Sequence, residues 1–496
     1  MLKMDYKEVL KSYFENNSLV ESQLRSYNYF IDEGLKGIIL GFDRTSIPEY
    51  LLEVYDEVNL KIEDVWLGEP AHTEVDGSTT KLTPGLARHR GLTYAAPLYL
   101  RLSTMIGTQK DEFDVQIAKM PIMLKSDKCI LNTMSREELI KVGEDPDEPG
   151  GYFVVNGTEK VVVLMEDLAL NKFFIEDIEA DEPMGRMFSE RGVYKSLQEI
   201  KRLKDGSYAY TFGNFKNIPL FLLIKTLGIL SDKEIVTLTE ITEGDVIFQM
   251  SEFSSIATVE EAEEVLSKRF NLIGSQKEKS DRLSFYLDNF VLPHVGVKEE
   301  NRVDKARLIC KLFKRYFHVI SGNAAIDDKD NFANKRVKLV GQLFEHLFVN
   351  NFNDLIVDIL TNFQRMIKRG RFSSMKIIIR EQLLTQKINS ALAIGTWSDG
   401  RKGVSQYLKR ENYFDMLSHL TRVVSPLSTS QENFSARELH STHFGRLCPV
   451  ETPEGHSIGL RKNLALMANV TYKTVDTKAE MISSLVEMGL NNGGKK

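Results

Sequence analysis

From Tyr6 to about Leu40 apolar residues return at helical spacing, with Val9, Leu10, Tyr13 and Phe14 followed by Leu19, Leu24, Tyr27 and Phe30, so two amphipathic helices forming a packing layer are predicted. The period then changes. Between Leu51 and Leu102, runs such as Leu98-Tyr99-Leu100-Arg101-Leu102 put leucine at every second place, and the Asp76-Gly77 pair interrupts the segment. Strands and hairpins follow from that alternation. The sharpest local signal is Tyr152-Phe153-Val154-Val155, then Asn156-Gly157, then Thr158-Glu159-Lys160-Val161-Val162-Val163. Two β-rich runs flank a pair that tolerates positive φ, which is what a tight hairpin turn requires.

From about Leu170 to Asp327 the chain becomes more acidic and reads as helical, with charge-dense stretches at Glu176 to Glu182 and Glu260 to Glu264; a separate, solvated domain is expected. The segment Phe332 to Arg380 combines a long apolar-periodic stretch with Arg365, Lys368, Arg369, Arg371, Lys376 and Arg380, and holds no Asp or Glu from Leu360 through Ile379. After Leu392, Gly, Ser, Pro and His predict ordered loops. A closing helix is expected from Thr477 to Gly489, with a Thr477/Glu480 capping box and a terminal Gly, followed by fraying at Asn491 to Lys496.

Composition narrows the class. A chain of 496 residues suggests roughly three domains, and 42% hydrophobic with 27% charged residues is a soluble, globular balance. Lys and Arg total 64 against 70 Asp and Glu, a net charge of −6, so a wholly basic nucleic-acid coat is excluded and any such contact must come from local clusters. Cys129, Cys310 and Cys448 lie too far apart for a disulfide framework or a four-thiolate zinc site, which points to a reducing compartment. The N-terminal residues lack a signal-peptide stretch, and no run approaches the roughly eighteen apolar residues of a membrane span, so a cytoplasmic location without membrane contact is expected.

The motifs G-x-x-x-x-G-K-[ST], H-E-x-x-H and G-x-S-x-G do not occur. Asp327, Asp328 and Asp330 read as a solvated loop or cap, and Glu144, Asp145, Asp147 and Glu148, ahead of Pro149-Gly150-Gly151, as a turn; no metal is assigned to either. His419, His440, His443 and His456 gather near Cys448, a donor mixture zinc prefers. With no second cysteine nearby, loop packing or nucleic-acid contact is the better assignment. Arg401, Lys402, Lys409, Arg410, Arg422, Arg437, Arg446, Arg461 and Lys462 alternate with Trp397, Tyr407, Tyr413 and Phe444. Cations neutralise phosphates and aromatic planes stack on bases, so this third of the chain is a candidate nucleic-acid surface; an ordinary solvated face is the alternative.

The stretch Arg437-Glu-Leu-His-Ser-Thr-His-Phe-Gly-Arg-Leu-Cys-Pro-Val-Glu-Thr-Pro-Glu-Gly-His-Ser-Ile-Gly-Leu-Arg-Lys-Asn-Leu-Ala-Leu-Met-Ala468 resembles the signature of the second-largest, β-type subunit of multisubunit DNA-directed RNA polymerases. Further segments agree in order: Pro121-Ile-Met-Leu-Lys-Ser, Gly150-Gly-Tyr-Phe-Val-Val-Asn-Gly-Thr-Glu-Lys160, Asn331-Phe-Ala-Asn-Lys-Arg336, Gly395-Thr-Trp397 and Gly403-Val-Ser-Gln406. The resemblance implies an α+β, multidomain fold of protrusion (1–169 and 329–391), lobe (170–328) and fork (392–469), with 470–496 beginning an external domain and a flexible tail. It resembles the N-terminal piece of an archaeal subunit encoded in two parts (the split B″ type), a truncated longer subunit being the alternative.

The resemblance further implies a subunit of a nucleotidyltransferase that is inactive alone. Its partners would be the C-terminal piece of the β-type subunit, the largest subunit and other polymerase subunits, basal transcription factors, the DNA template and the RNA–DNA hybrid. The Mg²⁺ of the assembled active centre would be held by other subunits, with no catalytic residue in this chain. Gln406 is implied as an RNA-side contact, Arg437 and Glu454 as residues near the RNA 3′ end and incoming nucleotide, and Arg422, His440 and Arg446 as further nucleic-acid contacts. One departure stands out: the loop from Ser428 to Ser435 carries only Glu432 as a charge, where relatives commonly have a more basic loop. A nucleic-acid-binding or assembly module that shares the fold without the catalysis is the rival reading.

Overall fold

A computed structural model describes residues 6–41, 58–74, 76–106, 109–178, 181–191, 194–368, 378–397, 400–430, 432–471 and 478–488. Arg369, Arg371, Lys376, Thr477, Gly489 and Asn491 to Lys496, singled out above, lie outside them, as does the stretch from Leu51 to Glu57. The chain divides into two units, one formed by Met1–Asp167 with Val337–Lys496 and the other by Leu168–Arg336.

The first unit opens with α1 (Tyr6–Asn16) and α2 (Glu21–Tyr29), which passes through a π turn at Phe30–Gly34 into α3 (Leu35–Leu40). Strands β1 (Val58–Leu67), β4 (Ala95–Ile106) and β5 (Gln109–Pro121) form an antiparallel sheet, and β2 (Ala71–Thr73) pairs with β3 (Thr79–Lys81) across the Asp76-Gly77 turn. Within the segment read as strands lies a helix, α4 (Pro84–Arg90). Its signals are in the sequence: Thr83 accepts from the Leu86 N–H as N-cap, Pro84 fills the first turn, and Gly91 closes it in the left-handed region. After α5 (Arg136–Val142) comes the predicted hairpin, β6 (Phe153–Val155) and β7 (Thr158–Val162), with φ of 50° at Asn156 and 75° at Gly157. A Cβ on Gly157 would stand 2.7 Å from Gly91 Cα, so turn geometry and close packing both demand glycine there. Strand β8 (Leu164–Leu168) leads out of the unit.

The second unit overturns the helical reading of its first part. Residues 174–219 form a five-stranded antiparallel sheet of β9 (Phe174–Ile178), β10 (Asp181–Arg191), β11 (Tyr194–Arg202), β12 (Tyr208–Phe212) and β13 (Phe215–Pro219). The buried side of β11 carries Ser196 and Gln198 beside Ile200, so the two-residue hydrophobic period is weak in the sequence. These polar groups bond to one another: Gln198 Nε2 donates to Ser196 Oγ and the Phe290 carbonyl, and Tyr210 donates to Gln198 Oε1. Helices α6 (Leu220–Thr226), α7 (Asp232–Thr239), α8 (Gly244–Ser251), α9 (Val259–Arg269), α10 (Gln276–Phe290) and α11 (Arg302–Ile320) follow. They enclose an apolar core of their own in which Phe313 meets Tyr208 and Phe221 at ring distances of 4.8 and 5.7 Å. Solvation of the unit is therefore confined to its surface.

The short strand β14 (Lys335–Lys338) precedes α12 (Val340–Lys368), a helix of 29 residues, and α13 (Glu381–Ile394). The first N–H groups of α12 are orphans of helix geometry, and α2 supplies their acceptors: Val340 N–H donates to Gln23 Oε1 and Gly341 N–H to Ser26 Oγ. Phe344 of α12 then packs on Tyr27, Phe30 and Phe153 in the centre of the first unit's core. Thr385 of α13 accepts from the Lys119 N–H of β5, bringing that helix onto the large sheet. Of the basic cluster, Arg365 and Arg380 are exposed, and Arg380 pairs with Asp358 one helix back.

Candidate nucleic-acid interface

The loop-rich stretch after Leu392 is organised by strand pairing with the predicted hairpin. Strand β15 (Ser405–Tyr407) runs antiparallel to β7, with Gln406 opposite Val161. After α14 (Tyr413–Leu420), β16 (Arg422–Val424) lies parallel to β8 and antiparallel to β17 (Arg461–Asn463). Buried charge reinforces the joint: Lys462 Nζ stands 2.8 Å from Glu166, and Arg401 and Lys338 both hold Asp167. Burial raises the Asp167 carboxyl, but these two cations outweigh it and leave its pKa below the ordinary range.

The acidic run before Pro149 forms the turn read from the sequence, and two of its carboxylates build a second joint. Glu144 and Glu148 are buried, because Arg88 holds Glu144 and Glu159 while Arg410 holds Glu148 and Glu159. Both guanidinium groups also donate to the buried Tyr152 hydroxyl, at 2.8 and 2.9 Å. Asp145 and Asp147 match the expected turn: both are exposed, the Asp147 N–H donates to Asp145 Oδ1, and Asp147 pairs with Arg136 at the surface. Among the three aspartates near residue 328, Asp327 accepts from the Ile175 N–H and Arg315, and Asp330 pairs with Lys335.

The two joints leave a cleft of about 500 Å³ lined by Met165, Lys402, Gly403, Gln406, Thr429, Leu460 and Arg461 among others. Lys402, Lys409 and Arg461 are exposed and, among the described residues, have no carboxylate partner. Burial lowers the Arg422 guanidinium, with Asp415 opposing and the neighbouring Arg461 adding to the fall. Gln406 donates from Nε2 to the Gly403 carbonyl at 2.9 Å, and its Oε1 meets His419 Nε2 at 3.2 Å.

The other sequence candidates fall at different places. Arg437 is half-buried and donates to the carbonyls of His456, Ile458 and Thr429, joining the loop at 428–430 to the turn at 455–459. Gly459 in that turn has φ of 71°, and a Cβ there would stand 2.2 Å from the Arg437 carbonyl oxygen, so the chain crosses itself at contact distance. Glu454 is exposed and immediately precedes that turn, at the N-cap position of the short 3-10 helix Gly455–Ser457, without a side-chain cap bond. His440 bonds Thr442 locally, and Arg446 donates to the Thr442 carbonyl. Trp397 is removed from the aromatic candidates, since it is buried and donates to the Leu343 carbonyl within the core. Tyr407, Tyr413 and Phe444 remain exposed. The sequence reading missed His419 as the neighbour of Gln406 and the convergence of Lys402 with Arg461, since nothing in linear spacing signals either. Among the described residues no three His, Cys, Asp or Glu side chains come together as a metal-ligand set, and no helix is long and apolar enough to cross a membrane.

Residues 18–386 match the family model described as RNA polymerase beta subunit, and residues 406–470 match that described as RNA polymerase Rpb2, domain 3. The chain belongs to the RNA polymerase beta-subunit family. Within it, the chain is similar to the DNA-directed RNA polymerase subunit Rpo2N of Methanocaldococcus jannaschii, 38% identical over 504 residues that cover 98% of this chain and 99% of that one. Rpo2N of Halobacterium salinarum is 36% identical, with 99% and 97% covered. Rpo2 of Saccharolobus solfataricus is also 36% identical, but the similarity covers 97% of this chain and 43% of that longer subunit.

Proposed function

We propose that this chain works in an archaeal-type DNA-directed RNA polymerase as its protrusion (1–169 and 329–391), lobe (170–328) and fork (392–469), and that the fork holds the RNA–DNA hybrid in register for nucleotide addition. The observation that carries the reading is the cleft beside Gln406, where an amide and two cations, which have no carboxylate partner among the described residues, face the same space. A phosphodiester strand fits that chemistry: Lys402 and Arg461 neutralise phosphates with counterion release, and Gln406 adds an uncharged hydrogen bond. Arg437, with Arg422, His440 and Arg446 nearby in sequence, belongs to the same reading in a different role. Its planar fork of donors goes to loop carbonyls, so it shapes the turn that presents Glu454. A carboxylate repels phosphate, and Glu454 therefore orients a cation, a ribose hydroxyl or a neighbouring loop. Partners in this reading are the C-terminal piece of the β-type subunit, the largest subunit, basal transcription factors and the DNA template, in the cytoplasm. In this reading the Mg²⁺ of the assembled enzyme is held by other subunits, and no step is routed through it.

The test uses reconstituted elongation complexes, with lifetime measured across a salt series and elongation rate beside it. Lys402→Ala and Arg461→Ala should each reduce the salt slope by about one, Gln406→Ala should shorten lifetime without changing the slope, and Arg437→Ala and Glu454→Ala should slow nucleotide addition with the slope retained. Variants that all match the unmodified enzyme would sink the reading and leave an ordinary solvated face.

A further inference from the structure

His419 is buried, with 1% of its surface exposed, yet both ring nitrogens are engaged by residues of the loop that carries Gln406. The Lys409 backbone N–H points to Nδ1 at 3.2 Å, and a backbone amide can only donate. Nδ1 therefore carries no proton, so in the neutral ring the proton sits on Nε2. That N–H faces Gln406 Oε1 at 3.2 Å, which must be the accepting oxygen. The amide nitrogen of Gln406 is thereby turned the other way, where it donates one proton to the Gly403 carbonyl at 2.9 Å. Its second amide proton is left for the cleft that Gln406 lines.

We infer that His419 is a positioning residue: locked as the Nε2–H tautomer by the Lys409 amide, it fixes the Gln406 carboxamide so that an amide N–H, and not the carbonyl oxygen, is offered to the strand in the cleft. The inference deepens the reading of Gln406 as a hybrid contact and rests on it. The distinction matters chemically. Phosphate and ribose oxygens, and the carbonyl edges of bases, accept hydrogen bonds, so an amide flipped by 180° would present an acceptor to acceptors. Burial, then the charges of Arg422, Lys409 and Arg461, hold the His419 imidazole down to about 4 against the opposing pull of Asp415, so the ring stays neutral and the tautomer argument applies throughout the working range.

The experiment separates positioning from mere core filling. An asparagine at 419 keeps an acceptor near the Nδ1 position for the Lys409 amide but is too short to reach Gln406, whereas glutamine restores a donor near the Nε2 position. In reconstituted elongation complexes, His419→Asn should shorten lifetime by about two- to tenfold, as expected for loss of one hydrogen bond, and by the same factor as Gln406→Ala. His419→Gln should recover most of that lifetime. The double variant His419→Asn with Gln406→Ala should be no worse than Gln406→Ala alone, because the histidine acts through the glutamine. If the two effects add, or if His419→Asn is silent while Gln406→Ala is not, the inference is overturned and the reading of Gln406 survives. If Gln406→Ala itself leaves lifetime unchanged, the reading of Gln406 falls, and the inference falls with it.

Discussion

Lys462 and Glu166 show how a residue-scale contact holds the candidate interface to the rest of its unit. Their side chains are only 8% and 4% exposed and stand 2.8 Å apart, with Lys462 on β17 and Glu166 on β8. Two desolvated charges gain little over a well-packed apolar pair, but one of them left alone is costly. Lys462→Ala should therefore destabilise the first unit by about 3 kcal/mol, and Lys462→Met combined with Glu166→Leu should recover part of that loss. Denaturant unfolding followed by the fluorescence of Trp66 and Trp397, both in the first unit, measures both, and a double variant as damaged as the single one would show that the lone charge is not the source of the loss. The sequence did not reveal this contact. Lys462 stands in a run of basic residues that suits solvent or phosphate equally, and the segment joining it to Glu166 has no local signature. The Asn156-Gly157 hairpin was readable because its cause, positive φ at two adjacent residues, is local.

At the scale of elements, legibility follows the same rule. From α2 to α3 the helical spacing buries Tyr27, Phe30, Ile31 and Leu35 and could be read from the sequence, whereas α1 has the same spacing yet leaves Tyr6, Val9 and Phe14 exposed. The sheet at 174–219 could not, because β11 buries Ser196 and Gln198 on the face where leucine or valine would have declared a strand. Helix ends also carry pH dependence. In α11, Lys305 is fully buried and donates to the carbonyls of Leu287 and Asp288 in the last turn of α10. Burial lowers its pKa to about 8, partly offset by Asp288. An amine whose folded pKa lies below the ordinary value of 10.5 binds fewer protons than in the unfolded chain, so stability rises with pH from about 8 towards 10.5. Cys310, whose thiol burial pushes up to about 12 from 9.0, acts in the opposite sense above pH 9, since the unfolded thiol ionises first. The second unit should therefore gain stability between about pH 8 and 9, and Lys305→Met should flatten that rise. Pulse proteolysis of the full chain, scored for cleavage within 168–336, reads the slope; an equal slope in both proteins would refute the assignment.

For the whole molecule, the organising fact is that 168–336 is an insertion whose ends meet. The Ala169 N–H donates to the Asn334 carbonyl at 2.9 Å, so the chain enters and leaves this unit side by side. The inserted unit buries its own apolar cluster, including Leu220 to Ile224 of α6, and the flanking segments bury another around Phe344. A unit with its own core and adjacent ends can be removed without breaking a neighbour's packing, because closing a short loop adds little entropy cost. Residues 168–336 expressed alone should therefore unfold in one cooperative thermal transition, and the chain with that unit replaced by a short glycine linker should keep the first unit's transition. Lys402, Gln406 and Arg461 all lie in the first unit. If the cleft is where the hybrid is gripped, polymerase reconstituted with the shortened chain should retain the salt slope of complex lifetime even where its assembly yield or elongation rate falls. A slope reduced by the deletion, in complexes whose first unit still melts cooperatively, would mean that phosphate contacts reside in the inserted unit, and the assignment of the grip to the Gln406 cleft would have to be abandoned.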